Sequence, residues 1–216
     1  MKKNNFAAII DLKISNLHNV KLACDTVGIP NVVTSSPQVI SNARSIILPG
    51  VGSFKEAMSK INLFKLNKVI KKSIKDKKPF LGICLGMQLL FNTSDEFGKC
   101  KGLGILKGEI KKLKFSTDKK FKFSIPHTGW NKINLKNKKF SLNILSGLNK
   151  NDFMYFVHSF YANAKEKKYV QSYTYYGDNK FPSIIIKKNI CACQFHPEKS
   201  GKAGLKIYKN LKRLMK

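Results

Sequence analysis

Arginine is almost missing from this chain. Arg44 and Arg213 are the two in 216 residues, and the other 39 basic residues are lysines. Acidic side chains are also scarce, at 12, so the formal charge is +29. A charge of that size suggests nucleic acid, because phosphate neutralisation dominates such affinity. Base reading, however, leans on the planar guanidinium fork, which an ammonium cannot supply. The lysines are scattered, and their densest patch, Lys111-Lys112-Leu113-Lys114 with Lys119-Lys120-Phe121-Lys122, alternates with apolar residues as an exposed strand pair would. The expectation is a solvated basic surface with no specific nucleic-acid partner.

Long apolar runs are missing too. The longest, Phe80 to Phe91, is interrupted by Gln88 and falls short of the ~18 residues of a membrane span. The N-terminal run ends at Asp11, too soon for the roughly 7–15 apolar residues of a signal peptide. Cysteine is sparse and odd in number, five in all, which excludes a disulfide framework and leaves at least one thiol free. With 43% hydrophobic and 11% aromatic residues, wholesale disorder is excluded as well. A soluble, cytoplasmic protein of one domain, residues 1–216, is expected.

Apolar patterning alternates between strand and helix in the first 91 residues. Phe6 to Ile10 reads as a buried strand, and Asn31 to Val33, Ser45 to Leu48 and Pro79 to Ile83 read as further strands. Between them lie helical spacings after Asn16, a plausible cap, and from Ala57 to Ile74; another apolar helix follows from Cys84 to Phe91. The second half carries short strand-like runs at Ile110–Phe115, Phe121–Ile125, Phe153–Phe160, Val170–Tyr176, Ser183–Ile186 and Ile190–Phe195, then a helix from Ala203. The predicted fold is α/β: a central, mostly parallel sheet with helices on both faces and antiparallel additions in the second half.

The sharpest chemical signal is Gly82-Ile83-Cys84-Leu85-Gly86 at a strand-to-helix junction. It has the form of a nucleophile elbow with cysteine as nucleophile, where a helix N-terminus favours thiolate. A small buried core cysteine would fit the pentapeptide too. The four histidines are His18, His127, His158 and His196. In Gln194-Phe195-His196-Pro197-Glu198, an extended backbone puts His196 and Glu198 on one side. Glu198 can then orient one ring nitrogen while the other faces Cys84, the nucleophile–base–orienter logic. Pro49-Gly50-Val51-Gly52 ends another strand and can turn backbone N–H groups toward an oxyanion, as can Leu85; it can equally be a plain tight turn. Cys191, Cys193 and His196 on one short run do not make a tetrahedral metal site, so no metal is expected.

Together, Pro49-Gly50-Val51-Gly52, Leu81 to Gln88 and Gln194 to Ser200 resemble the class I glutamine amidotransferases. More narrowly, Ile125 to Asn131 and Tyr155 to Tyr161 resemble the glutaminase subunits of imidazole glycerol phosphate synthases. The resemblance runs from about Ala7 to Leu211 and implies glutamine hydrolysis through a γ-glutamyl thioester, with ammonia passed to a partner. It implies Cys84 as nucleophile, His196 as general acid/base and Glu198 as its orienter. Gly50, Val51, Gly52 and Leu85 would serve the oxyanion, and Gln88, Ser159 and Phe160 would hold glutamine. His127 through Asn131, Trp130 especially, and Lys199 would lie near the interface with the partner, a (β/α)8 barrel synthase subunit forming a heterodimer in histidine biosynthesis. No cofactor is implied. One departure stands out: the family's aromatic, glycine-rich turn after the first strand reads here Asp11-Leu12-Lys13-Ile14-Ser15-Asn16-Leu17. Without those glycines the turn should differ in backbone freedom. Because it faces the partner, an alternative is kept: a paralogous glutaminase supplying ammonia to a sugar amidotransferase of surface polysaccharide synthesis.

Overall fold

The computed structural model describes residues 4–15, 17–115, 123–136 and 143–216. The N-terminal apolar run is β1 (Asn4–Ile10), whose alternate side chains point to opposite faces. Ala7 and Ile9 enter one core cluster and Ala8 and Ile10 the other, all fully buried. A strand buried on both faces needs cover on both. α1 (His18–Thr26) supplies Val20, Ala23 and Cys24 to one side. β2 (Asn31–Thr34) pairs parallel with β1 and leads to α2 (Pro37–Asn42), a short helix not foreseen, whose cap Ser36 accepts the Val39 N–H. β3 (Ala43–Leu48) takes the other edge of β1, and α3 (Phe54–Leu63) starts at Ser53, whose Oγ accepts the Glu56 N–H. Such a cap contributes about 1 kcal/mol.

Two helices differ from expectation. The spacing from Ala57 to Ile74 predicts one helix, but Lys65, at a left-handed φ of 56°, splits it into α3 and α4 (Leu66–Lys75). β4 (Phe80–Ile83) is followed by α5 (Leu85–Gln88), a single turn and not a helix to Phe91. The Leu89, Leu90 and Phe91 carbonyls instead accept from the N–H groups of Leu103, Ile105 and Gly104.

The second half forms β5 (Thr93–Ser94), β6 (Cys100–Lys101), β7 (Gly108–Lys112), β8 (His127–Lys132), β9 (Asn134–Leu135), β10 (Phe153–His158), β11 (Phe160–Ala164), β12 (Val170–Tyr176), β13 (Asn179–Lys187), β14 (Ile190–Cys193) and α6 (Gly201–Leu214). The main sheet runs β2-β1-β3-β4-β14-β13-β12-β9; β2 through β14 in that order are parallel and the last three additions antiparallel. α2, α3 and α4 cover one face and α1 and α6 the other, as predicted for this α/β class. Two small sheets, β10-β8 and β11-β7-β5-β6, stand beside it.

The run Phe153 to Phe160 is therefore two strands in different sheets, broken at Ser159. β13 starts earlier than Ser183 and passes through Pro182, where its partner β12 has register shifts that tolerate the missing N–H. Phe123 to Ile125 form no strand, pairing beginning at His127. The expected cap Asn16, the lysine patch at 119–122 and the first residues of the Phe121–Ile125 strand lie outside the described residues. Among the described residues, no helix is long and apolar enough to cross a membrane.

Candidate active site

Three adjacent parallel strands, β3, β4 and β14, end together, with Leu48 opposite Gly82 and Cys193 opposite Ile83. In open α/β sheets that carboxyl edge is where ligands bind. Pro49-Gly50-Val51-Gly52 leaves β3, Cys84 leaves β4, and His196 and Glu198 follow β14. The fold thus gathers at one edge residues more than 100 positions apart.

Cys84 sits at φ 51°, ψ −110°, a conformation L-residues rarely adopt and one that costs on the order of 1–3 kcal/mol. Its N–H bonds the Cys193 carbonyl at 2.7 Å, anchoring the turn to β14. The flanking glycines are required by packing. A Cβ on Gly86 would drive into the Leu48 carbonyl oxygen, and one on Gly82 would lie 3.2 Å from the Gly86 oxygen. The thiol comes 3.7 Å from the Val157 carbonyl and 3.8 Å from Gln194 Nε2. Because α5 is a single turn, little macrodipole stands behind the sulfur, contrary to the expectation of a helix to Phe91.

Electrostatic help comes instead from His196. Its Nδ1 lies 2.7 Å from Glu198 Oε1, and both side chains are almost wholly buried. Among the described residues its Nε2 has no hydrogen-bond partner, and the Cys84 sulfur acts on the ring through its charge. Burial opposes charge on this ring. The Cys84 sulfur and the Glu198 carboxylate outweigh that penalty and push His196 up to about 10. The imidazole therefore holds a proton at neutral pH, between a sulfur and a carboxylate. The backbone is pinned as well: the His196 N–H bonds the Tyr155 carbonyl at 2.9 Å, and Ser200 Oγ donates to the His196 carbonyl at 2.6 Å.

A cleft of about 250 Å³ opens over the thiol, lined by Val51, Gly52, Cys84, Leu85, Gln88 and the wall Val157 to Phe160. Gln88 Nε2 donates to the Phe160 carbonyl at 2.8 Å and to Gln194 Oε1 at 3.2 Å. Gly50 and Val51 also border a second depression of about 200 Å³, which reaches Ser15, His196, Glu198 and Lys199. Cys84, Val51, Gly52, Leu85, Gln88, Ser159 and Phe160 thus line the cleft over the thiol, while Gly50, His196 and Glu198 line the second depression, the two sharing Val51. Trp130 and Lys199 lie outside the cleft, exposed, and joined through Tyr155: the indole is 6.0 Å from that ring and the ammonium 5.8 Å.

Three lining or supporting groups had no role assigned from the sequence, although His158 and Gln194 lie within its motifs. Gln194 is fully buried beside the sulfur, though its place in the His196 motif was visible. His158 lines the cleft. Glu96 does too, and its carboxyl is raised by burial while Oε2 accepts the Phe54 N–H at 2.7 Å. No local pattern near Glu96 announces it. Cys191 and Cys193 are fully buried core residues, and Cys193 is pushed up by its hydrogen bond with Cys191 and by burial, unlike a metal thiolate. Among the described residues, no group of three His, Cys, Asp or Glu could hold a metal ion.

The turn after β1 lacks the family's glycines and still takes a left-handed backbone at one position. Lys13 adopts φ 60° without being glycine, at a cost of about 1–2 kcal/mol. Asp11 offsets it, accepting the Lys13 N–H at 2.8 Å and pairing with its ammonium at 2.7 Å. Lys13 thus takes a left-handed conformation of the kind glycine takes freely.

A family model described as glutamine amidotransferase class-I matches residues 8–212. The chain is 44% identical over 208 residues to imidazole glycerol phosphate synthase subunit HisH of Caldanaerobacter subterraneus, covering 96% of this chain and 98% of that one. It is 45% identical over 206 residues to HisH of Aquifex aeolicus, covering 95% of each, and 39% identical over 199 residues to HisH of Bacillus subtilis, covering 92% of each. Among solved structures, PurLQS from Thermotoga maritima superposes with a TM-score of 0.73 at 18% identity, over 97% of this chain and 98% of the other; at that identity it shows the fold alone. Nothing in these matches supports the sugar-amination alternative. The chain belongs to the class I glutamine amidotransferase family and, within it, to the HisH subunits of imidazole glycerol phosphate synthase.

Proposed function

We propose that Cys84, His196 and Glu198 hydrolyse glutamine and that the ammonia passes to a synthase subunit of histidine biosynthesis. The Cys84 sulfur attacks the side-chain amide carbon, and the oxyanion forms toward backbone N–H groups of Leu85 and the Gly50-Val51-Gly52 segment. His196 gives its proton to the departing nitrogen, so ammonia leaves and a γ-glutamyl thioester remains. Water then attacks, losing a proton to His196, and glutamate is released with the thiolate restored. Gln88, Ser159 and Phe160 hold the substrate, and Glu96, a carboxylate on the cleft wall, suits its α-ammonium. The observation that carries this is the buried 2.7 Å His196–Glu198 contact at the same sheet edge as the strained elbow that presents Cys84.

The relatives' names make them subunits of a synthase, and the partner proposed here is a (β/α)8 barrel. The exposed Trp130–Tyr155–Lys199 cluster, beside the depression that reaches His196, is the surface proposed to receive it. The whole chain, 1–216, is proposed as one amidotransferase domain acting in the cytoplasm, without cofactor. The test is glutamine hydrolysis by the assembled complex. Cys84→Ala should lower it by at least about 10³-fold, as removal of a nucleophile does. Retained turnover would overturn the assignment.

A further inference from the structure

His127 and His158 form a buried pair whose every proton is fixed by the two ends of one chain of hydrogen bonds. At one end, Asn131 Nδ2 lies 3.0 Å from the Tyr175 carbonyl, which can only accept, and its Oδ1 accepts the Lys132 N–H at 2.7 Å. The amide orientation is thereby set. Nδ2 also reaches His127 Nε2 at 3.3 Å, so that nitrogen accepts and His127 carries its hydrogen on Nδ1. His127 Nδ1 donates to His158 Nε2 at 3.2 Å, and His158 Nδ1 donates to the Phe160 carbonyl at 2.9 Å. The second lone pair of that carbonyl takes Gln88 Nε2–H at 2.8 Å. Gln88 continues to Gln194, and Gln194 to the Cys84 sulfur. Burial holds His127 at about 4; burial, with His127 and His196 nearby, holds His158 at about 3. Both rings are neutral at neutral pH, as the one-way chain requires.

The surroundings would accept apolar rings at lower cost. His127 stacks on Tyr176 and Phe156, and His158 meets Phe181 edge-on. Burying two imidazoles among aromatics is unfavourable unless each nitrogen is paired. What the paired nitrogens deliver, beyond packing, is the orientation of one carbonyl on the cleft wall. We propose that this histidine pair is a positioning device for glutamine, fixing the Phe160 carbonyl and through it the His158-Ser159-Phe160 wall and the Gln88 carboxamide. The inference rests on the glutaminase reading of the cleft. His127 and His158 act through Phe160 and are positioning residues.

The test uses the chain assembled with its synthase subunit, with His158→Phe and His158→Asn compared. Phenylalanine keeps a ring among the same aromatics but donates nothing; asparagine places a donor near the position of Nδ1. His158→Phe should raise KM for glutamine about tenfold with kcat within about threefold, the loss of one buried hydrogen bond. His158→Asn should restore most of that KM. Nitrogen-15 spectra of wild type at pH 7 should show both imidazoles neutral with hydrogen on Nδ1. A KM unchanged within about twofold in His158→Phe, or a charged or Nε2–H ring in wild type, would overturn the proposal. If wild type itself showed no Cys84-dependent turnover, the glutaminase reading would have failed, and the spectra would still decide the hydrogen-bond chain.

Discussion

Glu198→Gln is expected to lower kcat for glutamine hydrolysis by about 10²–10⁴-fold while the fold persists. The carboxylate does two things for His196. It accepts the Nδ1 proton at 2.7 Å, which leaves Nε2 for the sulfur, and its charge helps hold the ring up at about 10. A carboxamide keeps the shape and loses the charge. It can also present its NH2 to Nδ1, and the imidazole then carries its hydrogen on the wrong nitrogen. The analogous loss of a buried carboxylate in a serine protease triad costs about 10⁴ in kcat. The measurement is steady-state hydrolysis with kcat and KM separated, alongside a urea melt. A loss within about tenfold would mean that Glu198 is structural.

Folding stability should fall steeply between pH 6.5 and about 4.5. His127 and His158 are held at about 4 and about 3 in the folded chain, well below the ordinary imidazole value. Unfolding therefore takes up protons in this window, and the unfolded state gains as pH drops. In linkage terms, a depressed pKa contributes stability that is present above the unfolded value and lost as pH falls toward the folded one. With two such groups the slope approaches about 2–3 kcal/mol per pH unit. His196 works in the opposite sense: held at about 10 in the folded chain, it adds stability as pH falls until its unfolded counterpart is protonated, so it offsets part of the loss between pH 7 and about 6 and is level below that. Urea midpoints at pH 7 and pH 5 measure the difference. A midpoint unchanged over that range would mean that the two rings are solvated or already charged.

Much of the fold was legible because its central parallel strands, β1, β3, β4 and β14, are buried on both faces, so Phe6 to Ile10 and Ile190 to Cys193 read as unbroken apolar runs. The helix break at Lys65 was not legible: a lysine at φ 56° leaves no mark of the kind glycine would. Nor was the split at Ser159, where one continuous β-type run serves two sheets because tertiary pairing, and not propensity, divides it. The triad was legible because its residues carry chemistry and punctuation together: Gly82 and Gly86 around Cys84, Pro197 between His196 and Glu198. Gln194 and the His127–His158 pair were not, since their meaning lies in contacts 31 or more positions apart in the chain. The Lys13 turn teaches the converse. Its sequence departs from the glycine-rich pattern, yet Asp11 supports a left-handed backbone there.

The most direct test of the thioester chemistry is to quench the assembled, turning-over complex in acid with isotopically labelled glutamine and map the label by peptide mass spectrometry. A γ-glutamyl group on the peptide carrying Cys84, missing from Cys84→Ala, is the predicted result. A label on the partly exposed Cys100 instead, or full turnover with no acyl group trapped on any cysteine in Glu198→Gln and wild type alike, would contradict it.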